Sequence, residues 1–218
     1  MAGEADLYVY ALSEPGLPQT LRLRGHSLRT LTTGAVVAIV EPATAPRPTV
    51  EAVQEQHDIV RELAARSTAL LPARFGSRLS ERALRSLIDR HRSTIAEALG
   101  KVRGRAQMTV RIFGEPDAPP EHAAPAKSGT EFLEERRTRA HYVPPELAVV
   151  RQALGQMAAA ERIEPGTGGL RATVFHLVAN DSIEAYRERA SSLQSLLAPH
   201  RVTVSGPWPA FAFTPELL

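Results

Sequence analysis

Histidine is the side chain of this chain best suited to acid–base or metal chemistry at neutral pH, because its unperturbed pKa is about 6.5. Histidines at ligand spacing with a carboxylate would bind zinc, and a histidine beside a serine would activate a nucleophile. Here no pair has such spacing, and no GxGxxG, Walker, HExxH or GxSxG element is present. The sequence therefore predicts no catalytic centre, no metal site and no cofactor. The scattered histidines are His26, His57, His91, His122, His141, His176 and His200.

Three of these histidines fall within apolar patterns. His57 and His91 each interrupt the apolar face of a predicted helix, and His176 lies in a predicted strand. We favour hydrogen-bonded core or boundary histidines, with a ligand or a base as the alternative.

Arginines form a possible docking surface. Arg74, Arg78, Arg82 and Arg85 are spaced to give one basic stripe near the start of a predicted helix. Positive charge there opposes the helix dipole. The stripe is interpreted as a solvated face, with a surface for acidic groups as the alternative.

The tripeptide Arg74-Phe75-Gly76 allows two interpretations. Glycine after an aromatic residue can supply a positive φ at a tight turn. Phe75 would then anchor the loop in the core. Alternatively, a loop that Pro72 fixes, with an arginine and an aromatic ring, would be a protein-binding hot spot.

The only tryptophan, Trp208, stands between Pro207 and Pro209, directly after a strand pattern. Prolines fix φ and remove donors, so this segment can neither continue a helix nor lie in a central strand. We expect a rigid, extended arm that carries Trp208, Phe211 and Phe213. The arm either packs on its own protein or presents its rings to a partner, and we expect Trp208 to be buried against the C-terminal domain.

Three segments resemble the gas vesicle accessory proteins of the GvpF/GvpL family. Ser205-Gly206-Pro207-Trp208-Pro209, followed by aromatic-x-Phe, resembles the C-terminal signature of the family. Leu71-Pro72-Ala73-Arg74-Phe75-Gly76 resembles its Leu-Pro-x-Arg-Phe-Gly element, and His57 with Val60 resembles a preceding His-x-x-Val pattern. Order and spacing agree over nearly the whole chain. One departure is Pro209-Ala210-Phe211, where the family usually has Pro-Pro-Tyr, so a phenol hydroxyl is lost.

The resemblance implies a non-enzymatic accessory or minor shell-associated protein, located in the cytoplasm and at the gas vesicle. Its implied partners are the small hydrophobic shell subunit and other gas vesicle accessory proteins. A shell subunit with exposed apolar surface aggregates unless it is covered, and stiff aromatic segments cover it at low entropic cost. The protein-binding residues expected here are Leu71, Pro72, Arg74, Phe75, Gly76, Trp208, Pro209 and Phe211.

The elements that position these residues follow from periodicity. Thr49 is the predicted cap of a helix, and Ser80 of a second helix that reaches Leu99. Glu146 begins a helix with an apolar row to Met157 and Glu161, and a further helix runs from residue 183 to 197. The first helix has its predicted apolar face at Val50, Val53, His57, Val60 and Ala64. Strand patterns cover residues 7–12, 21–24, 35–40, 108–113, 173–178 and 202–204.

This order predicts an α+β fold with two domains. The first, residues 1–115, is expected to be a modified ferredoxin-like domain, as the resemblance implies. The second, residues 128–218, is a smaller ferredoxin-like α+β sandwich with long helices, beginning with a charged helix at 128–142. Residues 114–127 are rich in proline and alanine and lack periodicity, so they are the predicted linker.

Composition excludes several classes of protein. The chain has 218 residues and no cysteine, so it has neither disulfides nor thiolate metal sites, which fits a reducing cytoplasm. No secretory signal is visible, and no apolar run is long enough to span a bilayer. A net charge of +2 indicates no nucleic-acid partner. The alternative function is a small-molecule enzyme on a ferredoxin-like scaffold, which would need a pocket with clustered titratable groups.

Overall fold

The structure is a computed structural model that describes residues 6–42, 46–114 and 144–217. The strands are β1 Leu7–Ser13, β2 Thr20–Leu23, β3 His26–Thr33, β4 Val36–Pro42, β5 Leu70–Pro72, β6 Arg78–Leu79, β7 Arg105–Phe113, β8 Ala158–Pro165, β9 Leu170–Ala179 and β10 Arg201–Trp208. The α-helices are α1 Val50–Ala64, α2 Glu81–Arg90, α3 Arg92–Val102, α4 Glu146–Leu154, α5 Ile183–Ala190 and α6 Leu193–Leu196. Short 3₁₀ turns lie at Gly155–Met157, Asn180–Ser182 and Phe211–Phe213.

Contacts divide the described chain into two units. Unit 1 comprises Met1–Gln107 and Pro207–Leu218, and unit 2 comprises Met108–Gly206. The chain therefore leaves unit 1 within β7 and returns to it within β10. The predicted linker at 114–127 lies outside the described residues except for Gly114, and so does the predicted helix at 128–142. The domain boundary stays a prediction, but β7 and the C-terminal tail are grouped differently from the domains at 1–115 and 128–218.

Unit 1 is built on a sheet with the order β2-β3-β4-β1-β5, and β6 also pairs with β1. The β1–β4, β3–β4, β2–β3 and β1–β5 pairs are antiparallel. All residues of β1 are buried, as expected for an inner strand covered on both faces. Its core includes Tyr8, Leu28, Ile39, Ile59 and Leu63.

The first helix has its predicted cap but not its predicted face. The hydroxyl of Thr49 accepts a hydrogen bond from the backbone N–H of Ala52 at 3.2 Å. Val50 and Val53 are 68% and 46% exposed, so placing them in the core was wrong. Val60 belongs to two sets of residues with helical spacing, the predicted one and a second that includes Ile59 and Leu63. The second set has the larger side chains, and it is the one that is buried. The buried residues are Gln56, Ile59, Val60 and Leu63.

The second predicted helix is two helices. Ser80 caps α2 as predicted, with its hydroxyl 3.2 Å from the N–H of Ala83. At His91 the backbone leaves helical geometry, with φ −108° and ψ 22°, and α3 begins at Arg92. His91 thus lies at a helix end and is half-buried, while Leu84, Ile88, Ile95 and Leu99 are in the core as expected.

Unit 2 is built on a sheet with the order β10-β7-β9-β8, in which β8 and β9 form an antiparallel hairpin. The predicted apolar row to Met157 and Glu161 was wrong beyond Leu154. The helix ends before Gly155, and Glu161 lies on β8 instead. Gly155 disfavours continuation of the helix, and from Ala158 onwards the chain instead pairs with β9 as a strand. The predicted helix at 183–197 is likewise divided into α5 and α6, although Tyr186, Ala190, Leu193 and Leu197 are buried as expected.

The protein therefore has a mixed α/β fold with antiparallel strand pairs and helices. Each unit has its own buried apolar cluster. None of the described helices is long and apolar enough to cross a membrane.

Candidate functional site

Residues 73–77, which we call the Arg-Phe loop, leave β5 in a fixed conformation. The N–H of Ala73 donates to the carbonyl of Tyr10, and the N–H of Val9 donates to the carbonyl of Ser77, both at 2.9 Å. The hydroxyl of Ser77 donates to the carbonyl of Arg74 at 2.8 Å and closes the turn. Gly76 has a φ of +86°, which favours glycine, as its position after Phe75 predicted.

A buried polar network holds this loop from below. Gln56 of α1 donates from Nε2 to the carbonyl of Ala73 at 3.2 Å, and its Oε1 accepts a bond from the hydroxyl of Tyr8. The same hydroxyl accepts the N–H of Gly76 at 3.1 Å, and burial raises the pKa of Tyr8. Sequence reasoning missed Tyr8 and Gln56. A signal existed in Gln56, which is the polar member of an otherwise apolar set with Ile59, Val60 and Leu63.

The C-terminal tail, residues 207–217, packs on unit 1. Pro209 and Ala210 are buried, and the 3₁₀ turn Phe211–Phe213 contacts β5. The N–H of Ala212 donates to Oε1 of Gln107 at 2.8 Å, and the ammonium of Lys101 lies 5.6 Å from the ring centre of Phe213. The prediction of an extended arm is thus correct only as far as Trp208, where β10 ends. Beyond it the chain forms the 3₁₀ turn Phe211–Phe213.

His57 joins α1 to the tail. Its ring stacks on that of Phe211, with centroids 5.4 Å apart and planes at 12°, and meets Trp208 edge to face at 5.3 Å. Burial, with Arg61 nearby, lowers the pKa of His57. The neutral imidazole therefore acts as a ring that packs between two aromatic side chains.

Trp208 differs from its predicted environment. It is half-buried and contacts His57 in unit 1, so the expectation that it packs on the C-terminal domain was wrong. The reason is the course of the tail, which joins unit 1 after Gly206. Sequence periodicity describes local elements and contains no information on which unit a terminal segment joins.

Arg74 is exposed and forms an ion pair with Glu216 of the tail at 2.6 Å, with side chains 67% and 70% exposed. Other arginines of the predicted basic stripe are also paired. Arg78 lies 3.8 Å from Asp6, and Arg85 binds Glu81 and the carbonyl of Thr32. This pairing favours the solvated, ion-paired face over a free basic surface.

The two predicted motifs meet in unit 1, because the Arg-Phe loop continues β5 and the tail contacts β5 and Arg74. Their residues are not equally accessible. Leu71, Pro72 and Pro209 are buried, while Phe75, Gly76 and Trp208 are half-buried. Only Arg74 and Phe211 count as exposed, and they are the members of the predicted set that a partner can reach most easily.

Exposed apolar residues extend this region along α1. Val50, Val53 and His57 follow helical spacing on one face, and Phe211 stacks on His57. We call these four residues the α1–tail patch. Among the described residues the exposed large apolar side chains are Val50, Val53, Leu196 and Phe211, so three of the four lie in this patch.

A second cluster looks like acid–base machinery, but its histidine and its tyrosine are enclosed in the core. His176 bonds the hydroxyl of Tyr186 at 2.8 Å through Nδ1 and the carboxylate of Glu161 at 3.2 Å through Nε2. Arg151 in turn binds Glu161 at 2.9 Å. His176 and Tyr186 are fully buried, and burial lowers the pKa of His176 and raises that of Tyr186. His176 is thus a core histidine with both ring nitrogens hydrogen-bonded, as expected from the sequence. No group of three metal-ligating side chains occurs in the described ranges.

The family model for gas vesicle synthesis protein GvpL/GvpF matches residues 6–215, which include the Arg-Phe loop and most of the tail. This chain belongs to the GvpL/GvpF family. The match confirms the resemblance seen in the three sequence segments. Membership supports an accessory role in gas vesicles.

Two solved structures share the fold of this GvpL/GvpF family member. Gas vesicle protein GvpF from Microcystis aeruginosa is 14% identical, with a TM-score of 0.74 over 96% of this chain and 98% of that one. GvpF from Anabaena sp. PCC7120 is 16% identical, also with a TM-score of 0.74, over 97% and 98%. No curated protein matches the chain.

Proposed function

We propose that this protein is a non-enzymatic accessory protein of gas vesicle formation that binds the hydrophobic shell subunit. It acts in the cytoplasm and at the vesicle, covers apolar surface of the subunit and supports vesicle formation and thus buoyancy. Other gas vesicle accessory proteins are further partners. The protein turns over no substrate.

The observation that carries this proposal is the meeting of the family-like motifs in one region of unit 1. The tail is distant in sequence from β5, Arg74 and His57, yet it contacts all three. A terminal segment that served only to close the chain would not need its rings beside an exposed apolar helix face. The α1–tail patch supplies such a face.

The chemistry of the patch suits an apolar partner. Val50, Val53 and Phe211 are stiff side chains, so covering them costs little side-chain entropy. Each Å² of apolar surface removed from water contributes roughly 25 cal/mol, which favours contact with an apolar subunit. Arg74 is the polar anchor, because its exposed pair with Glu216 is worth at most about 1 kcal/mol and can exchange for a carboxylate of the partner.

The buried members of the predicted set have a supporting role. Leu71, Pro72 and Pro209 fix β5 and the tail from inside, and Gly76 permits the turn. Phe75 holds the loop in place, and Trp208 orients His57 beside Phe211.

Co-expression tests the proposal. The tagged protein is produced with the gas vesicle shell subunit, and the subunit that co-purifies in the soluble fraction is measured. We expect the subunit to be retained and to sediment when the protein is omitted. Failure of the wild-type protein to retain it, or normal vesicles in cells that lack the protein, would refute the proposal.

We also propose that each unit is a ferredoxin-like domain, with the expected linker at residues 114–127 lying within the sequence range of unit 2. Separate sheets and separate apolar clusters support this. Limited proteolysis should cut first at 114–127, and a first cut within α2 or α3 would count against it.

A further inference from the structure

A groove of about 350 Å³ runs beside β10 in unit 2, between this outer strand and helices α5 and α6. Met108 and Ala190 are buried in its floor, and Val202 and Val204 are half-buried beside them. Its lining also includes Arg187 and Gln194. All the described residues that line the groove belong to unit 2, whereas the surface proposed above lies in unit 1, so an inference about the groove does not rest on the proposed function.

Side-chain bonds reveal which backbone groups of β10 face the groove. Oε1 of Gln194 accepts the N–H of Val202 at 2.9 Å, and its Nε2 donates to the carbonyl of His200 at 3.1 Å. Nη2 of Arg187 donates to the carbonyl of Gly206 at 2.8 Å. In a strand the N–H and C=O of one residue point to the same edge, and successive residues alternate. The backbone N–H and C=O groups of residues 202, 204 and 206 therefore point away from β7 and towards the groove.

Gln194 and Arg187 occupy the two ends of this edge. Between them lies Val204, whose N–H and C=O point outward by the same alternation. One residue of this kind exchanges two hydrogen bonds with a residue of an added antiparallel strand. A strand edge is a template for such pairing, and the groove beside it would receive a side chain of the added segment.

We propose that the groove binds an extended, acidic segment of a partner protein, which pairs with Val204 as an additional strand. An apolar side chain of the segment packs on Met108, Val202 and Val204. A carboxylate next to it binds Arg187. Recognition thus combines main-chain bonds for affinity with one pocket and one charge for specificity.

Charge selects this occupant. Among the described residues that line the groove, Arg187 is the one with an ionisable side chain. Its guanidinium forms an ion pair with Glu184 of the same helix, with Nη1 2.5 Å from Oε1, but the side chain of Glu184 is 78% exposed. Such a pair is weak in water, so a carboxylate in the groove can take its place. A basic segment would meet Arg187 with like charge and be rejected.

Selection from random seven-residue peptides displayed on phage tests the site with the full chain. Clones that bind the wild-type protein are then passed over the Ser191→Trp variant, and those that also bind this variant are discarded. Ser191 lies at the rim, so a large ring there fills the groove and leaves the rest of the surface unchanged. We expect the surviving peptides to combine Asp or Glu with β-branched residues. A synthetic survivor should shift the amide resonance of Val204 and slow its hydrogen exchange.

Charge reversal gives the matched comparison. Arg187→Glu should weaken the synthetic peptide at least tenfold, and replacing the acidic residues of the peptide by lysine should restore binding to this variant. Arg92→Glu is the control. Like Arg187, Arg92 forms an ion pair with a carboxylate three residues earlier, that of Asp89 at 2.6 Å, but it lies in unit 1 and not at the groove. It should bind like the wild type.

Several outcomes would overturn the proposal. These are the absence of any clone that distinguishes the wild type from Ser191→Trp, equal binding by Arg187→Glu, or binding that leaves the Val204 amide unchanged. Self-association of the chain that Ser191→Trp abolishes would assign the groove to a second copy instead.

Discussion

The rings of His57 and Phe211 stack with their planes 12° apart and their centres at 5.4 Å, although 154 residues separate them. This contact joins the helix that presents Val50 and Val53 to the tail of the family signature. It explains how segments distant in sequence form one surface.

Arg74→Ala and Phe75→Ala should separate binding from stability. Arg74 is exposed and its ion pair with Glu216 is solvated, so its loss should change the free energy of unfolding by less than about 1 kcal/mol. Binding of the shell subunit should nevertheless weaken. Phe75 is half-buried, and its truncation should cost roughly 2 kcal/mol, less than the 3–5 of a fully buried ring. Urea unfolding and co-purification of both variants measure the two effects, and the reverse order would contradict the assigned roles.

Trp208, the only tryptophan, reports on the tail. Because its ring is half-buried against His57, its emission should lie between the values of buried and water-exposed indole and move to longer wavelength in His57→Ala. Emission typical of full exposure in the native wild type would show that the tail is not docked. His91→Ala, at the end of α2, is the control and should leave the spectrum unchanged.

Gln56→Ala should loosen the Arg-Phe loop. The substitution leaves the carbonyl of Ala73 and the hydroxyl of Tyr8 without this partner, and each unsatisfied buried group costs about 1–3 kcal/mol. The melting temperature should fall, and amide exchange should accelerate at Gly76. Gln54→Ala, an exposed position on the same helix, should change neither.

Stability should fall with acidification because of His57. Its pKa is lowered in the folded state, so between the ordinary histidine value of about 6.5 and the lower folded value the unfolded chain binds more protons. The stabilisation is present above pH of about 6.5 and is lost as the pH decreases below it, by at most about 1.4 kcal/mol per pH unit. His57→Phe keeps the ring and removes the titration. Urea unfolding followed by Trp208 emission at pH 7.5, 6.5 and 5.5 should give a smaller loss for this variant, and equal losses would show that the pKa of His57 is not lowered.

Local signals allowed much of the fold to be predicted. The caps Thr49 and Ser80 and the inner strand β1 depend on short-range chemistry, and all three lie where the sequence placed them. Choices that depend on tertiary packing failed. The face of α1 that is buried, the strand at Glu161 and the packing of Trp208 on His57 are decided by distant partners, which periodicity does not contain. The motif residues could be named from the sequence because each motif is contiguous. Gln56 could not be named, because it supports the Arg-Phe loop from a different segment of the chain.

Binding of the gas vesicle shell subunit to Val53→Asp tests the central claim most directly. Val53 is 46% exposed in the α1–tail patch, so a carboxylate there should leave folding intact and disrupt apolar contact. Leu196→Asp is the matched control, since Leu196 is 57% exposed in unit 2. We predict that soluble shell subunit co-purifies with the wild type and with Leu196→Asp alike, and at least tenfold less with Val53→Asp. Equal recovery with all three proteins would contradict the α1–tail patch as the binding surface.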